Sequence, residues 1–173
     1  MSEPNKYPPA VAELLEHLPL APLGPGRPIE AVRPKLAALA DESFGTHSLG
    51  RKMIAACRAG LWLAFDFLDE SHAISQAIDT PEGSFWHAIM HRREPDAGNS
   101  KYWWRRVGGH PVLERLVERS PALGYSYSDP FTFVDFVERV RGTSSPQEEV
   151  AKLVQRLEWE LLFHHCYQSA IAG

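Results

Sequence analysis

His87 and His91 stand four residues apart, and Glu94 follows three residues later. On a helix those offsets place all three side chains on one face. Two imidazoles one turn apart can aim at a single ion, with the carboxylate as a third ligand or as the group that orients a ring. His72 completes a three-histidine metal set if its helix runs back against the one bearing His87 and His91. The expected cofactor is a divalent metal ion held by His72, His87 and His91. Without a metal, His87, His91 and Glu94 could work as an acid/base set, because histidine is tunable around neutral pH. The HxxxH spacing differs from a zinc-protease motif, where a glutamate directly follows the first histidine. A competing expectation is a half-buried, hydrogen-bonded histidine cluster without a ligand.

A basic group follows: Arg92, Arg93, Lys101, Arg105 and Arg106. Guanidinium pairs grip phosphate or carboxylate, and Trp103, with Tyr102 and Trp104 beside it, offers a face on which a ring could stack. Adjacent arginines diverge by about 100° on a helix, so all five cannot reach one ligand. Arg93, Lys101, Arg105 and Trp103 are the expected substrate-binding residues for a small anionic molecule. The competing expectation pairs Arg92 and Arg93 with Glu94 and Asp96, and leaves Arg105 and Arg106 in solvent. Asp66, Asp69 and Glu70 are expected to pair along a helix face with Arg58. Of His164 and His165, one lies on the apolar stripe of the last helix and reads as a core histidine.

The elements that must position these residues are helical. Eight of the fourteen prolines fall in residues 1–34, so residues 1–28 read as a proline-rich arm with one short amphipathic helix on Val11, Leu14, Leu15 and Leu18. Residues 29–173 read as one helical domain. Helical periodicity runs from about Ile29 to Asp41. It resumes from Leu49, with Ser48 as N-cap, to about Ile78, with a break near Glu70 or Ser71. Thr80-Pro81 launches the helix that carries His87 and His91, ended by Pro95 and Gly98. A helix from about Asn99 to Val107 and another from Pro111 follow. Asp129-Pro130 opens the next, and Ser145 with Glu148 resembles a capping box before the last. No stretch alternates like a strand. The expected fold is therefore all-α, a single bundle of about seven or eight helices.

Bulk properties exclude several classes. With 173 residues, 44% hydrophobic and 23% charged, the chain has the makings of one self-sufficient core. A net charge of −4 argues against charge-driven nucleic-acid binding. The most apolar run, Gly60 to Leu68, is interrupted by Asp66 and too short to cross a bilayer, so no membrane partner is expected. MSEPNKYPPA lacks the pattern of a signal peptide. Cys57 and Cys166, far apart in helical stretches, read as reduced, buried thiols of a cytoplasmic protein.

The run FWHAIMHRREPDAGNSKYWWRRVGGHPV, preceded by DFLDESHAISQ, resembles a group of uncharacterised bacterial and fungal proteins sharing a WHxIxHRRExDxxNxKYWxRRVGxHP core. The resemblance covers about Leu61 to Leu113 and implies kinship without an assigned reaction. The favoured function is an enzyme, metal-dependent, acting on a small anionic substrate at a histidine-rich pocket between helices. The alternatives are a non-catalytic binding module for a phosphorylated or carboxylated ligand, and a structural protein with a buried polar network.

Overall fold

The computed structural model describes residues 6–45 and 50–172. Among them are nine α-helices and no strand: α1 (Pro9–Glu16), α2 (Arg33–Ala37), α3 (Arg51–Ala64), α4 (Leu68–Ser75), α5 (Pro81–Arg93), α6 (Ala97–Val107), α7 (Pro111–Arg119), α8 (Pro130–Val140) and α9 (Pro146–Ala172). Short 3-10 turns at Glu30–Val32, Asp41–Phe44 and Ser120–Leu123 join some of them. The all-α bundle is as expected, with one or two more helices than the periodicity suggested. The N-cap assigned to Ser48 and the helix start at Leu49 lie outside the described residues. No helix among those described is long and apolar enough to cross a membrane.

The core is organised around α5. All eleven residues from Gly83 to Arg93 are buried, although five of them, Ser84, His87, His91, Arg92 and Arg93, carry polar side chains. A helix enclosed on every side has no solvated face on which to leave polar atoms, so any that lacks a partner inside costs stability. Thr80 caps its start, with Oγ1 accepting from the Gly83 N–H at 3.3 Å and Pro81 in the first turn. α5 packs most extensively against α6, and also against α4 and α3; α9 packs along α3. The 27 residues of α9 span about 40 Å at 1.5 Å per residue, enough to run the length of the bundle.

Two close approaches lock these helices. The Trp159 indole N–H donates to the Gly60 carbonyl at 2.7 Å. Gly60 also lies under Trp86, where an added Cβ would come within 2.6 Å of the ring. Only a residue without a side chain lets α3, α5 and α9 meet there.

The long helix expected through Ile78 is two helices, and the break falls at Phe65–Phe67 instead of Glu70 or Ser71. Asp66 has a left-handed φ of 67°. The Phe67 N–H bonds back to Trp62 O at 3.0 Å and the Asp66 N–H to Leu63 O at 3.2 Å, the two bonds of a Schellman motif. Phe67 and Trp62 then meet edge to face at 5.0 Å, the apolar contact that accompanies this cap. Aspartate tolerates the left-handed region better than most residues. Its carboxylate is meanwhile taken by Arg93 in a buried ion pair.

The proline-rich segment packs as an extended strap. Without regular secondary structure its carbonyls need donors, and long side chains of the bundle supply them. Arg156 Nη1 donates to Pro19 O at 2.9 Å, Gln155 Nε2 to Pro22 O at 3.0 Å, Arg141 Nε to Leu23 O at 3.3 Å and Arg93 Nη2 to Gly24 O at 3.2 Å. Leu23 is buried beneath it. The helix expected on Val11 and Leu14 forms, with both residues buried.

Candidate metal centre

Three histidines converge where α4 meets α5. The His72 ring lies 4.6 Å from that of His87 and 5.4 Å from that of His91, centroid to centroid, and His87 and His91 stack at 4.8 Å. Each can offer a nitrogen such that all three lie within 4.8 Å of one another. Nitrogens about 2.1 Å from one tetrahedral ion stand roughly 3.4 Å apart, so closing on an ion asks for side-chain rotation of the order of 1 Å. The short link from α4 to α5 brings His72 back to the face that the i, i+4 spacing predicts.

Each ring has a different setting. Glu94, the residue that ends α5, approaches His91 Nδ1 with Oε2 at 3.0 Å. An ionised carboxylate only accepts, so Nδ1 carries the proton and Nε2 keeps its lone pair. That is the arrangement in which a carboxylate orients a metal-binding imidazole. His87 is almost wholly enclosed, and neither of its nitrogens has a hydrogen-bond partner among the described residues. Its ring stacks on Trp103 of α6 at 3.8 Å. Burial, helped by the neighbouring His91 and His72, pushes its pKa down to about 3, so at neutral pH the ring is uncharged. Burial also lowers His91, outweighing Glu94, which acts the other way. Half-buried His72 and the more exposed Glu94 give the cluster an opening to solvent.

The two buried arginines of α5 are directed elsewhere: their terminal nitrogens have partners away from the histidines, while the Nε of each is buried without one among the described residues. Arg92 reaches Glu158 of α9 through both terminal nitrogens, at 3.1 and 2.6 Å, and Gln155 at 3.3 Å. Arg93 turns to the opposite side of α5, where it pairs with Asp66 and donates to Leu63 O at 3.0 Å. Neither pairs with Glu94 or Asp96.

Of the expected substrate-binding set, only Trp103 touches the histidines. Arg93 is committed to Asp66 and the strap. Lys101 forms an ion pair with Asp135 of α8 at 2.5 Å, and Arg105 is exposed. One face of Trp103 is covered by His87, and Arg106 lies 5.3 Å from its ring centre. The cations therefore do not gather at the histidines: Arg93 is paired with Asp66, and Lys101, one turn from Arg105 on α6, with Asp135. Asp69 is exposed and outside the cluster. Glu70 pairs with Arg33 at 2.7 Å and Arg58 with Asp41 at 2.6 Å, so the acidic group expected around Arg58 does not form. α6 begins at Ala97, two residues earlier than expected, because Asp96 caps it by accepting from the Asn99 N–H at 3.1 Å.

A second polar cluster was invisible in the sequence. Glu82 of α5, His110 before α7 and His165 of α9 meet although 28 and 55 residues separate them in turn. Glu82 Oε1 lies 3.1 Å from His165 Nε2 and 3.4 Å from His110 Nε2. His110 Nδ1 caps α7 by accepting from the Val112 N–H at 3.2 Å, so its proton is on Nε2 and points at Glu82. To ligate through Nε2, His110 would have to move that proton to Nδ1 and face a second N–H. The cluster is a hydrogen-bonded network by its chemistry. No spacing joins its members, and His165 sat on a helix whose stripe read as core.

No family model, curated protein or solved structure matches the chain. The residues of the site carry the functional reading alone.

Proposed function

We propose that the chain is a metal-dependent enzyme whose centre is one divalent ion held by His72, His87 and His91, with Glu94 orienting His91. The supporting observation is His87: a buried imidazole, uncharged at neutral pH, with two unpartnered nitrogens beside two other histidines. Buried polar atoms without partners are rare and costly, on the order of 1–3 kcal/mol each, and a coordinated ion would remove that cost for the one nitrogen of His87 that it binds. A purely structural network would resemble Arg92 with Glu158 and Gln155, in which the guanidinium's terminal nitrogens are matched. His87 departs from that pattern in having no partner at either nitrogen among the described residues, whereas Arg92 lacks one only at Nε.

Three histidines suit zinc or a neighbouring first-row ion and leave a coordination position free. An ion so held lowers the pKa of bound water to roughly 7 or polarises a substrate oxygen. Because Arg93 and Lys101 are paired with Asp66 and Asp135, the positive charge that would take a small anionic substrate at this cluster is the ion's own. Glu94, exposed at the opening, would be the group that exchanges a proton with solvent. Two free, buried thiols fit a reducing compartment, the cytoplasm.

The test is elemental analysis after reconstitution with zinc, cobalt or manganese, beside a His87→Ala/His91→Ala variant. One equivalent of metal in the wild type and none in the variant is the expected result. Absence of stoichiometric metal in the folded wild type would overturn the reading.

A further inference from the structure

Away from the three histidines, a groove of about 760 Å3 runs between the N-terminal segment, α7 and α9. That volume falls within the roughly 300–1,000 Å3 of sites that enclose small organic ligands. Its floor is apolar, with Leu18, Trp159, Leu161 and Phe163, and its rim carries Lys6, Arg115 and Arg119. Arg156 also lines it, but is tied to Glu160 at 2.8 Å and to the strap. Glu160, the acidic residue of the lining, is thereby neutralised. The nearest acidic group to Arg115 is Glu118 at 3.6 Å, a loose pair in solvent. His164, which also lines it, is held below its ordinary pKa by burial and then by Lys6 and Arg115.

The hydrogen-bonded network meets this groove at His165. Glu82, held ionised by two imidazole donors, accepts from His165 Nε2, which leaves Nδ1 as an acceptor that no described residue uses. An imidazole oriented from behind by Glu82, an apolar floor and a cationic rim together make a site with a polarity of its own.

We infer that this groove binds an amphipathic organic anion, its carboxylate taken by Arg115 and Arg119 and its hydrocarbon body laid on Leu18 and Leu161. A carboxylate head gains charge-assisted hydrogen bonds from guanidinium groups, and the body gains by leaving water. His165, which also lines the groove, adds a polar group to its wall. The site is independent of the metal centre and uses none of its residues.

Calorimetric titration with octanoate, on protein kept in chelator so that no ion can take the carboxylate, tests this. Saturable binding at one equivalent is expected. Binding should be about tenfold weaker for octanamide and for Arg115→Gln/Arg119→Gln, the order expected for losing a charge-assisted hydrogen bond. Inorganic phosphate, a head without a body, should bind more weakly still. Both arginines are exposed, so the variant should melt as the wild type does. The His87→Ala/His91→Ala variant should keep wild-type octanoate affinity, which separates this site from the metal centre. No saturable binding, more than one equivalent bound, equal affinity for octanoate and octanamide, or undiminished affinity in the arginine variant would overturn the inference.

Discussion

Glu94 holds the proton side of His91 at 3.0 Å, and in doing so decides which nitrogen of that ring faces the other two histidines. The pair spans one turn at the very end of α5, where the carboxylate reaches back along the helix. Replacing Glu94 by Gln keeps the size but weakens the hold on the Nδ1 proton. Metal affinity, measured by competition with a chromophoric chelator, should fall about 10- to 100-fold, the usual effect of losing such a partner. The fold should be unaffected, because Glu94 is exposed.

His87→Leu should separate function from stability. In chelator, the variant should be more stable than the wild type by about 1–3 kcal/mol, because it removes two buried polar atoms that have no partner. Urea midpoints report this. The same substitution should abolish the rise in melting temperature that a bound ion gives the wild type. A less stable metal-free variant would mean that His87 is satisfied by protein alone.

Arg93→Ala should be strongly destabilising, by about 3–5 kcal/mol, since it strands a buried Asp66 carboxylate. It also removes the donor to Gly24 O. Faster cleavage by subtilisin within residues 18–24, compared with wild type under native conditions, is the local signature of a loosened strap.

The Glu82 network predicts an acid limb in the stability curve. Hydrogen bonds from His110 and then His165 hold the Glu82 carboxyl well below its ordinary value of 4.5. Below that value the unfolded chain takes up a proton that the folded chain refuses, so the unfolded state binds more protons and stability falls as pH drops. The contribution is complete above about pH 5 and is lost progressively with acidification. Glu82→Gln should lower stability at pH 7 and narrow its difference from wild type towards pH 3, measured by urea unfolding across that range.

Local signals served well where the physics is local. Thr80-Pro81 and Asp129-Pro130 cap α5 and α8 as their types predict, Asp129 Oδ1 accepting from the Thr132 N–H at 2.8 Å. Ser145 likewise accepts from the Glu148 N–H at 3.2 Å, but the Glu148 carboxylate goes to Gly142 and Ser144, so only half of the capping box forms. The histidine triad was legible because two members share a helix face and the third lies one short link away. The destinations of the arginines were not. Arg92 finds Glu158 across 66 residues and Arg93 finds Asp66 across 27, and neighbouring charges such as Glu94 and Asp96 gave a misleading local answer. The break at Asp66 escaped notice because aspartate, where glycine is usual, fills the left-handed position.

The strap's donors come from residues 93, 141, 155 and 156, whereas its acceptors lie at 18–24. During synthesis the acceptors leave the ribosome more than a hundred residues ahead of Arg141, Gln155 and Arg156. Until α9 is made, this stretch has most of its carbonyls served by water alone, and proline prevents it from folding on itself meanwhile. The strap is therefore able to dock fully only once α9, which follows it by more than a hundred residues, has been made.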